Sequence, residues 1–211
     1  MIYVMTSPAE SHRERKKAAT RQRIADEATR LFLARGFDRV TTTEIAEAAD
    51  VSKMTVFNYF ARKEDIFFDR LPQAAELLTS AIRDRAEDES PLTALRRLLV
   101  GLAEQQHPLG GFREHYGHFW QTILDSPALR SRMREALDEL EDVVTDALAT
   151  YSDDRDPRLT AALALAGYRT SYRVAVSRIL AGDPAADVTR AHIAAVHHAF
   201  DVVQNGLDQR R

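Results

Sequence analysis

The chain has 211 residues, 45% of them hydrophobic and 29% charged, with a formal net charge of −3; this excludes a disordered or collagen-like chain and allows a buried core. It has no cysteine, which excludes a disulfide framework and thiolate metal sites. No apolar run reaches the ~18 residues of a membrane span, and the start MIYVMTSPAES lacks the basic flank of a signal peptide, so a cytoplasmic protein without membrane contact is expected. The charge is unevenly spread. Residues 1–63 hold 12 Lys/Arg against 8 Asp/Glu, whereas the remainder holds 17 against 24. A basic front and an acidic back suit a molecule that meets phosphates at one end only.

In chain order, residues 1–16 read as a flexible basic arm. Between Arg13 and Arg23 stand six cations (Arg13, Arg15, Lys16, Lys17, Arg21, Arg23) against one acid, Glu14. Such a stretch is either a solvated tail or an arm lying along a nucleic-acid backbone. A helix is predicted from about Ala18 to Arg35, with Ile24, Ala28, Leu31 and Phe32 as its buried stripe and Gly36 as its stop. In TTTEIAEAADVSKMTVFNYF (41–60), Thr41 and Glu44 have capping-box spacing, and Ile45, Ala46 and Ala49 share one helical face. Asp50 falls where the chain must turn, and Asp tolerates a left-handed backbone. Ser52 is a good N-cap for a second short helix. Val56 and Phe60 would face inward there, leaving Lys53, Met54, Thr55, Asn58 and Tyr59 outside. Two short helices around a tight turn, the second polar and aromatic outside, suit a DNA major groove; an ordinary helical hairpin is the plain alternative.

The next stretch, KEDIFFDRLPQAAELLTSAIRDRA, is helical in pattern, with Pro72 set to break or kink it. A cation such as Lys63 does not favour a helix start, so its place there calls for a reason. The rest of the chain is helical throughout: Pro91 to about Gln106, Phe112 to Leu124, Pro127 to about Ala149, Leu159 to Leu180, and Asp187 to about Leu207. The breaks are Pro108-Leu109-Gly110-Gly111, the polar YSDDRDP, and Gly182-Asp183-Pro184. The fold class is therefore all-α.

Residues 20–68 resemble the N-terminal region of TetR-family transcriptional regulators. The features appear in a fixed order: the basic first helix ending in Phe32, then Arg35-Gly36-Phe37, the threonine cluster, VSKMTVFNYF, and Lys63-Glu64. Asp50 stands where the family usually has Gly, Met54 where it has a small residue, and Phe57 where it has Tyr. The last change removes a hydroxyl that would meet a phosphate. The resemblance implies an N-terminal three-helix domain with a helix-turn-helix (17–62), followed by a helical ligand-binding and dimerisation domain (63–211). It implies a homodimeric repressor, without catalytic residues or cofactor, released from a palindromic double-stranded DNA operator by a small-molecule effector. The other class of reading is a helical small-molecule-binding or enzymatic domain with a vestigial helix-turn-helix. No GxSxG, phosphate-binding glycine loop or dinucleotide turn supports an enzyme.

For DNA, Lys53, Met54, Thr55, Asn58 and Phe57 are expected near base edges, with Ser52 at the cap of their helix. Thr42, Thr43, Tyr59 and, by resemblance, Lys63 are expected at phosphates. For the effector, HPLGGFREHYGHFWQTIL supplies His115, Tyr116, Phe119 and Trp120, which Tyr168, Arg169 and Tyr172 complete. His107, His115 and His118 could also ligate a metal, but no supporting motif accompanies them, so no metal is expected. His192, His197 and His198 read as surface or interface residues. For a dimer seam, with the core of a single-chain bundle as the plain alternative, Ile193, Val196, Phe200 and Val203 repeat three and four apart, and Leu165, Tyr172 and Ile179 stripe the preceding helix. Leu159, Leu163, Ala166 and Val174 lie on another face of that helix, so two sides need covering.

Overall fold

The computed structural model describes residues 12–113 and 116–208. Ten α-helices run in order: α1 (His12–Arg35), α2 (Thr42–Ala48), α3 (Lys53–Tyr59), α4 (Lys63–Phe67), α5 (Leu71–Arg83), α6 (Pro91–Glu104), α7 (Tyr116–Asp125), α8 (Pro127–Tyr151), α9 (Pro157–Leu180) and α10 (Ala185–Asp208). The described residues contain no strand. They form two compact units, divided between Asp69 and Arg70.

In the N-terminal unit, α1 lays Ile24, Ala28 and Phe32 against Phe37, Ile45, Ala46, Val56, Phe60, Ile66 and Phe67, all buried. Phe32, Phe37 and Phe67 meet as a triad with ring centroids 4.8, 5.9 and 6.3 Å apart. Ile66 and Phe67 belong to α4, and α4 packs on α1. That packing carries the unit seven residues past the division expected at 62/63. The helix α1 begins at His12, which corrects the expectation of a flexible arm through residue 16. The run of Arg, Lys and Ala is made of good helix formers, with no Gly or Pro between His12 and Arg35, so the basic stretch is the first turns of the helix itself. Gly36, at φ 83°, ends it.

Pro72 occupies the first turn of α5, where its missing N–H costs nothing; it starts a helix, and the break falls at 68–70. In the C-terminal unit, α5, α6, α8, α9 and α10 enclose one core. Its centre is Leu78, Ile82, Leu95, Leu99, Val144, Leu148, Ala161, Ala164, Val196 and Phe200. Gly167 lets α9 approach α10 closely: a Cβ there would sit 3.1 Å from that of Ala199.

This packing corrects the expected dimer seam. Val196, Phe200, Val203 and Ile179 are buried within their own chain. Leu165 and Ile193 are half-buried against the same core, and Tyr172 packs on a second cluster around Phe112, Ala175, Val176 and Val188. A heptad-like repeat reports that a face is covered, but not by which chain. Here α10 lies against α9 and α6 of the same chain. On α9 and α10 the large apolar residues left outside are Leu163, Val174 and Val202.

Candidate nucleic-acid interface and effector site

Helix α2 opens on a reciprocal cap. The Thr41 hydroxyl accepts the Glu44 N–H at 3.2 Å, and a Glu44 carboxylate oxygen accepts the Thr41 N–H at 2.8 Å. Arg35 pairs with the other oxygen at 2.8 Å. The Thr41 N–H, the Thr41 hydroxyl and Arg35 together hold the Glu44 carboxyl down at about 2. Asp50 takes φ 50°, and the Val51 N–H returns to the Ala46 carbonyl at 3.0 Å, so the turn between the helices is tight. Ser52 caps α3 by accepting the Thr55 N–H at 3.0 Å, and its hydroxyl also pairs with that of Thr55 at 2.8 Å.

These constraints orient α3. Val56 and the following Phe60 are buried, while Lys53, Met54, Phe57 and Asn58 are exposed. Lys53 Nζ stands 6.0 Å from the centroid of the Phe57 ring. Thr55 and Tyr59, expected on the outer face, are half-buried, and the Thr55 hydroxyl is engaged with Ser52. Thr43 is exposed and Thr42 half-buried at the start of α2. Lys17, Ala18 and Arg21 of α1 border a shallow concavity together with Asn58 and Tyr59, so the basic end of α1 flanks the end of α3.

Two cations turn out to work inside the unit. Arg21 donates to the carbonyl oxygens of Tyr59 at 3.0 Å and Asp69 at 3.2 Å, and its guanidinium carbon lies 4.2 Å from the Phe60 ring centroid. Lys63 donates to the carbonyl oxygens of Phe37 at 3.1 Å and Val40 at 3.0 Å, and stands 4.2 Å from the Phe37 ring centroid. Two of the three N–H donors of Lys63, the residue expected at a phosphate, thus tie α4 to the 3-10 turn at Phe37–Arg39. This is also the reason a cation stands at a helix start.

In the C-terminal unit, most of the expected effector residues converge. Tyr116, Phe119 and Trp120 follow one another along α7, with Phe119 and Trp120 centroids 5.6 Å apart. Trp120 meets Tyr172 at 5.6 Å, and Tyr172 meets Tyr168 at 5.7 Å. Arg169, next to Tyr168 in sequence on α9, is half-buried. His115 lies outside the described residues. His118 is exposed, and His107 Nδ1 accepts the Leu109 N–H at 3.2 Å.

Two further members went unread in the sequence. Phe112 is fully buried and lies 4.9 Å from Tyr172. His192 is 2% exposed, with its ring 5.0, 5.5 and 5.7 Å from those of Phe112, Tyr172 and Tyr168. This corrects its reading as a surface residue; its spacing one residue before Ile193 and four before Val196 was the available signal. Gly110 and Gly111 bring Phe112 in: a Cβ on Gly111 would lie 2.3 Å from the Gln106 Cα.

The cluster is polar as well as aromatic. Among the described residues, five buried side-chain atoms have no hydrogen-bond partner: Trp120 Nε1, the Tyr168 hydroxyl, the Thr189 hydroxyl and both ring nitrogens of His192. All four residues stand on α7, α9 and α10. Burial pushes the Tyr168 and Tyr172 hydroxyls well above their ordinary range and lowers the His192 imidazole, a fall that the Ser171 backbone opposes. Tyr168, Tyr172 and His192 are therefore neutral near pH 7. Buried polar groups in native proteins are nearly always paired, so a concentration of unpaired ones marks a place for a partner.

A capped helix-turn-helix with one exposed face is thus joined in sequence to a helical body with an aromatic, polar cluster. Residues 24–69 match the family model of bacterial regulatory proteins, tetR family. Over its N-terminal unit the chain is thus similar to that family. It is 37% identical over 83 residues to the HTH-type transcriptional regulator TcmR of Streptomyces glaucescens, covering 39% of this chain and 37% of that protein. It is 30% identical over 139 residues to the HTH-type transcriptional repressor BepR of Brucella suis, covering 64% and 63%. The chain thus aligns with less than two thirds of either relative. Thermus thermophilus FadR, a repressor solved with lauroyl-CoA, superposes at a TM-score of 0.52 and 25% identity, over 85% of this chain and 92% of that one. No described helix is long and apolar enough to cross a membrane.

Proposed function

We propose that the protein is a homodimeric transcriptional repressor of the bacterial cytoplasm, released from a palindromic operator by a small molecule, with no catalytic step. The observation that carries this is the outward face of α3, where Lys53, Met54, Phe57 and Asn58 are exposed above a fully packed unit. Those four residues read bases, with Thr55 beside them and Ser52 fixing the start of the helix. Thr42, Thr43 and Tyr59 hold phosphates and set the register. One seven-residue helix reads few base pairs, so two copies acting on half-sites about one helical turn apart supply the specificity. The outer faces of α9 and α10, carrying Leu163, Val174 and Val202, are the surface proposed for that second copy.

The effector reading rests on the unpaired polar atoms of Trp120, Tyr168 and His192 inside an aromatic cluster, with that of Thr189 three residues before His192 on α10. An uncharged aromatic or largely apolar molecule with a few hydrogen-bonding groups meets those requirements, with Tyr116, Phe119, Tyr172 and Arg169 completing its surround. Its binding acts by population shift: it must favour a conformation in which the two α3 helices are wrongly spaced for successive grooves.

The test is a selection of binding sites from random duplex by the purified full chain, followed by gel shifts across a salt series. The expected result is a palindromic site whose affinity falls steeply with salt. A protein without sequence-preferring, salt-sensitive binding, with and without small molecules, would refute the repressor reading. Val174→Glu with Val202→Glu should give monomers by sedimentation; an unchanged dimer moves the interface elsewhere.

A further inference from the structure

The helix α3 displays two large apolar side chains to solvent, Met54 at 68% and Phe57 at 45% exposure. Its inward positions are taken by Val56, with Phe60 just beyond, so the register cannot rotate to hide them. Polar neighbours frame the pair. Lys53 stands 6.0 Å from the Phe57 ring, and Asn58 adjoins the concavity that Lys17 and Arg21 border. An apolar pair with one cation beside it and Lys17 near the end of the same helix fits a polyanion that carries apolar groups within it.

Duplex DNA has one such group in its major groove, the C5-methyl of thymine. Met and Phe side chains cannot read the donor and acceptor pattern that separates the base pairs. They can distinguish a methyl from its absence. We infer that Met54 and Phe57 select thymine through its 5-methyl group, so that part of each half-site is specified by apolar contact instead of hydrogen bonding. This rests on the DNA-binding reading above. In this division of labour Lys53 and Asn58 contribute the polar contacts, and the two apolar residues set the identity of the steps they cover.

The experiment uses the full chain and its selected duplex. Each thymine of one half-site is replaced singly by uracil, which deletes the methyl alone, and affinity is read by fluorescence anisotropy. At one or two positions the loss should be about 4-fold, the worth of one buried methyl-sized group. 5-Bromouracil, nearly isosteric with thymine, should restore it. Met54→Ala should abolish the thymine-over-uracil preference at one position and Phe57→Ala at another, with thermal unfolding unchanged because both side chains are exposed. Tight, palindrome-preferring binding that is indifferent to uracil at every position overturns the inference and leaves the repressor reading intact. So do uracil penalties that persist undiminished in both variants. Loss of self-association in Met54→Ala would assign the patch to a protein contact and overturn it too. Absence of any sequence-preferring duplex binding removes the DNA reading and this inference together.

Discussion

Replacing Lys63 with Met separates a structural cation from a phosphate anchor. Methionine keeps most of the stem and its packing, and deletes the ammonium. Two charge-assisted bonds go with it, to the carbonyls of Phe37 at 3.1 Å and Val40 at 3.0 Å. Bonds to charged groups contribute about 1.5–3 kcal/mol each, and a half-buried site belongs near the low end. The contact with the Phe37 ring at 4.2 Å adds roughly 0.5–1 kcal/mol. The Phe37 carbonyl keeps one partner, the Val40 N–H at 3.2 Å, which softens the loss. The expected destabilisation is about 2–4 kcal/mol, a large share of the ~5–15 kcal/mol that holds a typical domain folded. Urea unfolding and limited proteolysis of the 37–68 region read it directly. A side chain that instead neutralises a phosphate would leave the urea midpoint unchanged and reduce the slope of log affinity against log salt by about 0.9. An unchanged midpoint with that smaller slope would refute the staple argument.

Three further outcomes are expected. His192→Phe keeps an aromatic ring in place and removes two unpaired buried nitrogens, so it should raise stability by about 1–2 kcal/mol and blunt the effector response; a fall in thermal midpoint would show that those nitrogens are satisfied in the native state. Gly111→Ala forces a Cβ to within 2.3 Å of the Gln106 backbone and should cost at least ~1–3 kcal/mol through overpacking, with Phe112 displaced and Trp120 fluorescence altered; an unperturbed emission spectrum would count against the close turn. Acidification should weaken the fold in two windows. The His192 imidazole is lowered in the folded state, so the unfolded chain takes up its proton first and stability declines below about 6.5. Glu44 is depressed from 4.5 to about 2, so its contribution is present above 4.5 and is lost as pH falls toward 2. His192→Phe should erase the upper window and Glu44→Gln the lower one, both read from urea midpoints across pH.

The helix-turn-helix was legible residue by residue because its determinants are local. Thr41 and Glu44 cap one helix, Ser52 caps the other, and Asp50 takes the left-handed turn between them; each needs only neighbours within a few positions. The all-α class and the aromatic grouping of α7 with α9 were likewise written in periodicity and composition. Other features depended on distance. For Lys63 the sequence shows the charge and not the carbonyls of Phe37 and Val40, more than twenty positions earlier, that take two of its three N–H donors. The α10 seam of Val196, Phe200 and Val203 read as a dimer surface because a heptad records burial without naming the partner; only the folded chain shows α9 and α6 in that role. His192 is the clearest case. A histidine next to an apolar stripe is ordinary on paper, and only tertiary packing surrounds it with the rings of Phe112, Tyr168 and Tyr172. Short-range capping and turn chemistry are dictated by the chain locally, whereas which polar groups are left without a partner is decided by the assembly of segments that sequence alone does not bring together.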